Sequence, residues 1–210
     1  MKKKSLLVAI LLLFCNVVFA VNPIAYQGDT VSVIIPIQNS SVTTVTFGGA
    51  PASLISYKGK LRAVAGVSAT QAPGVYNMRV KFSGAPDFIQ PITVRAKKFP
   101  IITLPVPEEL QQTPKQLVIN LQSTNTSIKK EIEVKTSEIY FSGPFGLPLF
   151  DNRKIGSVYG EIRKTGEETI RHLGTDFEAL IGAPVAVING GIVKKSYLDS
   201  IYGNSVIIDH

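Results

Sequence analysis

The chain has 210 residues, a formal net charge of +7, one cysteine and two histidines. The cysteine, Cys15, falls inside a predicted leader, which excludes a disulfide framework or a thiol nucleophile in the exported chain. Removing the leader leaves about 190 residues, enough for two small domains but not for two large ones.

Residues 1–20 read as a secretory signal. Met1-Lys2-Lys3-Lys4 is a basic start, Ser5 to Ala20 holds an apolar run, and Val18-Phe19-Ala20 offers a small-residue cleavage site. The run is shorter than the roughly 20 residues a spanning helix needs; an uncleaved anchor is the alternative. Phe14, immediately before Cys15, does not suit a lipoprotein signal. The chain is therefore expected to be secreted, periplasmic or in the cell envelope, with no stable membrane span after cleavage. Residues 21–98 carry eight basic and two acidic side chains, whereas residues 99–210 carry eleven and thirteen. In an exported protein, a basic N-terminal part suits an anionic envelope surface better than nucleic acid. An ordinary solvated face accounts for it equally well.

Residues 21–97 are predicted to form a small β-sandwich. Val31, Val33, Ile35 and Ile37 alternate with Thr30, Ser32, Ile34 and Pro36; Tyr76, Met78, Val80 and Phe82 alternate again, and Ile92, Val94 and Ala96 make a third run. Turn signals separate the runs: Gly28-Asp29, Asn39-Ser40-Ser41, Gly48 to Pro51, Lys58-Gly59 and Ala72-Pro73-Gly74. Short strands about ten residues apart suit a sandwich, Ig-like in architecture only, because a Cys…Trp…Cys pattern is missing. The region has no histidine, and its two acids, Asp29 and Asp87, sit beside turn residues. Tyr26, Tyr57 and Tyr76 could stack on sugars, although strand tyrosines more often pack.

Residues 98–136 read as a proline-bearing linker followed by a helical connector. Pro100, Pro105 and Pro107 interrupt regular structure, and Thr113 before Pro114 fits an N-cap with proline at the first helical position. Leu117, Leu121, Ile128 and Ile132 fall near helical spacing, but Ser123 to Ser127 interrupts it, so two helical pieces are possible. Lys129 can pair with Glu133 along a helix face. Residues 137–210 return to β character. Lys164 to Thr169 has the charge of an exposed loop; Val185 to Val187 and Ile192-Val193 read as short strands around the tight turn Gly190-Gly191.

The chemistry concentrates in Arg171-His172-Leu173-Gly174-Thr175-Asp176-Phe177. Imidazole and carboxylate are both zinc ligands, each needing to approach the ion within about 2.0–2.2 Å. Gly174 and Thr175 disfavour a helix between them. A straight strand would hold the pair roughly 13 Å apart. If the two share an ion, the chain must turn or bulge, and Gly174 permits this. A solvated histidine and an aspartate in a surface turn are the plain alternative.

The surrounding motifs favour the metal. Ile155-Gly156-Ser157-Val158-Tyr159-Gly160-Glu161-Ile162-Arg163 precedes the stretch; Gly182-Ala183-Pro184-Val185-Ala186-Val187, Gly190-Gly191-Ile192-Val193 and Tyr202 to His210 follow it. Over about residues 155–210 this order resembles the M23 (LytM-like) zinc metallopeptidases, which cut peptide cross-links in bacterial cell walls. Tyr26 to Asp29 and Pro73 to Tyr76 resemble the small β-domain that often precedes such a peptidase. The resemblance implies a mainly β chain with a partial LytM-like antiparallel catalytic domain over 137–210. It also implies Zn2+ as cofactor, His172 and Asp176 as two of its ligands, and peptidoglycan or another anionic envelope polymer as partner.

The family's third ligand, the second histidine of a later His-x-His motif, is absent from these 210 residues. So is its upstream proton-handling partner. By the same resemblance His210 falls in a turn that does not ligate. Glu161, Glu167, Glu168, Glu178 and Asp209 are available acids, and spacing selects none of them. Ending in mid-strand is what a partial sequence would show. Three readings follow: a secreted zinc endopeptidase whose 210 residues are inactive alone, a non-catalytic envelope-binding or regulatory protein with a degenerate M23-like fold, or an exported β scaffold without metal.

Overall fold

The structure, a computed structural model, describes residues 22–36, 41–106, 108, 111–134, 136, 138–150 and 154–210. The leader with Cys15, Ile37, the Asn39-Ser40 turn and Pro107 lie outside the described residues. The chain divides into two compact units, the first ending at Ala96 and the second beginning at Lys97. Both are dominated by β-strands.

The first unit is a sandwich of two sheets. One has the order β1-β8-β7-β3-β4: β1 (Ile24–Tyr26), β3 (Val42–Phe47), β4 (Ala50–Pro51), β7 (Gly74–Phe82) and β8 (Phe88–Arg95). The other has the order β2-β6-β5: β2 (Thr30–Ile34), β5 (Ser53–Tyr57) and β6 (Lys60–Gly66). All pairings are antiparallel except β1 with β8. Strand alternation sends every second side chain inward, and the inward residues of both sheets meet in one core. Met78 and Val80 from β7, Ile92 and Val94 from β8, and Ala63 from β6 are completely or almost completely buried with Val31 and Ile35. Tyr76 joins that core beside Phe47, its ring 5.9 Å away, and its hydroxyl donates to Ala72 O at 2.8 Å. This tyrosine packs.

The second unit is built differently. Part of the expected linker is strand: β9 (Ile101–Thr103) pairs in parallel with β11 (Ile162–Thr165), which pairs antiparallel with β12 (Glu168–Arg171). Lys164 to Thr169 is therefore a hairpin and not a loop. Gly166, at φ +57°, makes its tight turn, and Thr165 is buried where charge content alone suggested exposure. The helix α1 (Pro114–Ile132) is single and continuous through Ser123 to Ser127. Thr113 caps it by accepting from Gln116 N–H at 3.2 Å, with Pro114 at the first position. Its inward side carries Leu117, Val118, Leu121, Asn125 and Ile128, a helical spacing that the polar residues at 123–127 do not interrupt.

Two more pairs complete the unit: β10 (Ile155–Ser157) with β13 (Asp176–Phe177), and β14 (Ile192–Asp199) with β15 (Gly203–Asp209). Val185 to Val187 is not a strand. One bond, from Ala186 N–H to Pro148 O at 2.8 Å, reaches it, and a single bond makes no ladder. Lys195 Nζ reaches Glu131 Oε1 at 2.8 Å and Tyr202 donates to Asn125 Oδ1 at 2.7 Å, tying the β14–β15 hairpin to α1. No helix among the described residues is long and apolar enough to cross a membrane.

Candidate metal centre

His172 lies immediately after β12. Its backbone N–H donates to Glu161 O at 2.8 Å, and its own carbonyl accepts from Gly160 N–H at 2.8 Å. These bonds continue the β11–β12 pairing as a bulge, with Gly160 and Glu161 both opposite His172, and fix where the imidazole leaves the backbone. Gly160 has φ +87°, and a Cβ there would overlap the Phe99 ring, so glycine is required. The chain bends at Gly174 and re-enters a strand at Asp176, opposite Ser157 of β10. Gly174 is not among the glycines with positive φ, so the bend needs no left-handed residue.

The bend brings the two side chains together. His172 Nε2 lies 3.2 Å from Asp176 Oδ1. Two ligands bound to one tetrahedral zinc at about 2.0–2.1 Å are roughly 3.3 Å apart, so the spacing suits a shared ion. The other ring nitrogen, Nδ1, lies 3.2 Å from Val158 O. Both imidazole nitrogens thus face oxygen acceptors. In the tautomer with Nδ1–H donating to the carbonyl, the Nε2 lone pair points at the carboxylate, the arrangement of two ligands that share one cation. The imidazole is 13% exposed and the carboxylate 54%, so the pair opens to solvent on the aspartate side.

Asp176 has a second partner that the sequence reading did not single out. Arg163, from β11, donates from Nη2 to Asp176 Oδ2 at 2.7 Å and from Nε to Glu161 Oε1 at 3.1 Å. Glu161 is 5% exposed, so one guanidinium links a buried carboxylate to the exposed one. Burial lowers the Arg163 pKa, but the bonds to Asp176 and Glu161 outweigh it and hold the pKa above its ordinary value. The signal was available: Glu161 and Arg163 are two apart, on one face of an extended segment.

The remaining acids go elsewhere. Glu178 pairs with Lys154 at 2.7 Å, and Asp209 lies 3.5 Å from Lys194. Glu167 is exposed and Glu168 half-buried, in the hairpin. His210 Nδ1 meets Gly190 O at 2.7 Å, and its ring stands edge-on to Phe145. Among the described residues no group of three or more His, Cys, Asp or Glu side chains is arranged to hold a metal ion. His172 and Asp176 suit zinc as two ligands, and among the described residues no third His, Cys, Asp or Glu side chain joins them.

A cavity of about 680 Å³ opens over the pair. Tyr159, Leu173 and Tyr202 line it on the strand side, and Asn125, Ile128, Lys129 and Ile132 of α1 form the facing wall. The connector helix is thus part of the site. Burial is the main cause that raises the Tyr202 pKa above its usual value.

No family model matches the chain, and no curated protein matches it significantly. Its fold does match a solved structure described as a "putative peptidase M23" from Pseudomonas aeruginosa, with a TM-score of 0.58 and 18% identity, over 88% of this chain and 68% of that one. The likeness establishes an M23-like β fold.

Proposed function

We propose that this chain is part of a secreted zinc metalloendopeptidase of the M23 type that acts on peptidoglycan cross-link peptides, with His172 and Asp176 as two of its zinc ligands. The observation that carries the reading is the 3.2 Å approach of Nε2 to Oδ1, with both imidazole nitrogens facing oxygen. The M23-like fold supports it. When bound, zinc supplies a Lewis acid that polarises a peptide carbonyl and makes water nucleophilic near neutral pH. The chain's own residues hold and orient. Val158 O fixes the imidazole so that Nε2 faces the aspartate, and the Tyr159–Tyr202–α1 recess receives peptide beside it.

A catalytic zinc site uses three protein ligands, and among the described residues His172 and Asp176 have no third beside them; on this reading the third and the proton-handling group belong to a His-x-His motif, as in the family. Residues 21–210 alone are expected to release no fragments from purified peptidoglycan. A chain extended by natural downstream sequence bearing His-x-His should cut it in a zinc-dependent, chelator-sensitive way, and His172→Ala should abolish both zinc retention and cleavage. Chelator-sensitive cleavage by the 210 residues alone would overturn the ligand assignment.

One observation favours a second reading, an envelope-binding or regulatory protein without catalysis: Asp176 is already neutralised by Arg163. An extended chain that binds peptidoglycan but neither retains zinc nor cuts would establish it.

A further inference from the structure

We infer that Arg163 is a positioning residue for the metal site, and that buried Glu161 is its anchor. The inference rests on the zinc reading of His172 and Asp176. Asp176 is the exposed member of the pair, and a free carboxylate there would rotate among rotamers and hydrate. Arg163 removes that freedom. Its Nη2 holds Oδ2 at 2.7 Å, which leaves Oδ1 directed at His172 Nε2. A carboxylate held in this way offers a metal one oxygen in a fixed direction. Without the guanidinium, both oxygens are free and neither is aimed.

The guanidinium is itself held. Arg163 sits on β11 between β9 and β12, in register with Ile102 and Ile170, so its backbone is paired on both sides. Nε binds Glu161, whose side chain is almost wholly buried, and the Glu161 carbonyl accepts from His172 N–H. One short segment, Glu161 to Arg163, therefore fixes both candidate ligands: the histidine through the Glu161 backbone and the aspartate through the Arg163 side chain. Lysine could not replace arginine here, because the contact uses two guanidinium nitrogens at once in a planar fork. Outer partners of this kind commonly govern metal affinity by 10–100-fold.

The test uses the full 210-residue chain labelled with 15N-histidine. Its two histidines give separable imidazole signals, and His210 serves as an internal control. Zinc chloride is titrated into the wild type, into Arg163→Lys and into the double variant Glu161→Gln/Arg163→Met, which removes the buried charge together with its partner. In the wild type the His172 Nε2 resonance should move with zinc while His210 stays. Both variants should need about 10–100-fold more zinc for the same shift, with an unchanged urea midpoint showing that the fold is intact. Equal zinc midpoints in wild type and folded variants would overturn the positioning role and leave the ligand assignment standing. With two of three ligands the wild type should bind zinc weakly, and a wild-type His172 that ignores even a large molar excess of zinc would overturn the assignment and the inference with it. If either variant fails to fold, the other decides.

Discussion

Gly160 and Gly174 stand on either side of His172 and differ in what an added Cβ would meet. At Gly160 a Cβ would overlap Phe99 and φ is +87°, so Gly160→Ala combines overpacking with a left-handed penalty. The two terms together predict a loss of about 2 kcal/mol or more in urea unfolding of the second unit. At Gly174 a Cβ would lie 3.6 Å from His172 Nε2, an ordinary contact, and φ is not positive. Gly174→Ala should therefore fold with nearly wild-type stability. The phenols of the same unit give a pH prediction. Tyr202 is raised chiefly by burial, and Tyr140 chiefly by its hydrogen bond to Glu138. Each keeps its proton more tightly in the folded state than in the unfolded one. The stability this contributes is complete below the ordinary value of 10.0 and is lost as pH rises through the folded value. Absorbance titration at alkaline pH should show both ionising late. Tyr202→Phe should make the fall in stability above that ordinary value shallower, and an unchanged slope would refute the assignment.

At the scale of elements, α1 is where sequence and structure agree at the start and part company in the middle. Thr113 and Pro114 announced the helix because capping is local chemistry; Thr113→Ala should cost about 1 kcal/mol in urea unfolding. Ser123 to Ser127 looked like a break because propensity is weak there. The structure keeps the helix whole by packing Leu121, Asn125 and Ile128 inward and by bonding Asn125 to Tyr202. Tertiary contact overrides propensity in such cases. The strands divide in the same way. Val31, Met78, Val80, Ile92 and Val94 were legible because a two-residue alternation maps directly onto a half-buried strand. The β11–β12 hairpin was not, because its alternation is written in charged residues and its one buried position, Thr165, is polar. The approach of His172 to Asp176 was legible as a requirement. Arg163's part was legible only in half: Glu161 stands two residues away, but Asp176 comes from β13, and its approach to Arg163 is a property of register.

At the scale of the molecule, the two units are unequal in what they bury. Of the buried apolar residues among those described, thirteen belong to the first unit and three, Phe99, Val118 and Leu149, to the second. The second unit leaves Leu180, Ile181, Val185, Leu198, Val193 and Val206 open to solvent. Limited proteolysis should therefore spare residues 22–96. Cleavage should come first after Leu104, whose N–H donates to Lys164 O at 2.8 Å at the end of the β9–β11 pairing; beyond it the described residues hold a turn, with Gln111 N–H donating to Glu108 O, before α1 begins. Early cuts inside residues 30–95 would contradict this division.

The largely exposed strand β14 and the exposed apolar residues around it have a calorimetric consequence. Apolar surface already hydrated in the folded state contributes nothing to the heat-capacity change when the chain unfolds, and that change is the main signature of a buried core. Scanning calorimetry of the full chain should give a heat-capacity increment well below the roughly 12–15 cal/mol/K per residue usual for globular domains. Most of it should arise in the sharp endotherm of the first unit. The second unit should melt over a broad range with little step in the baseline.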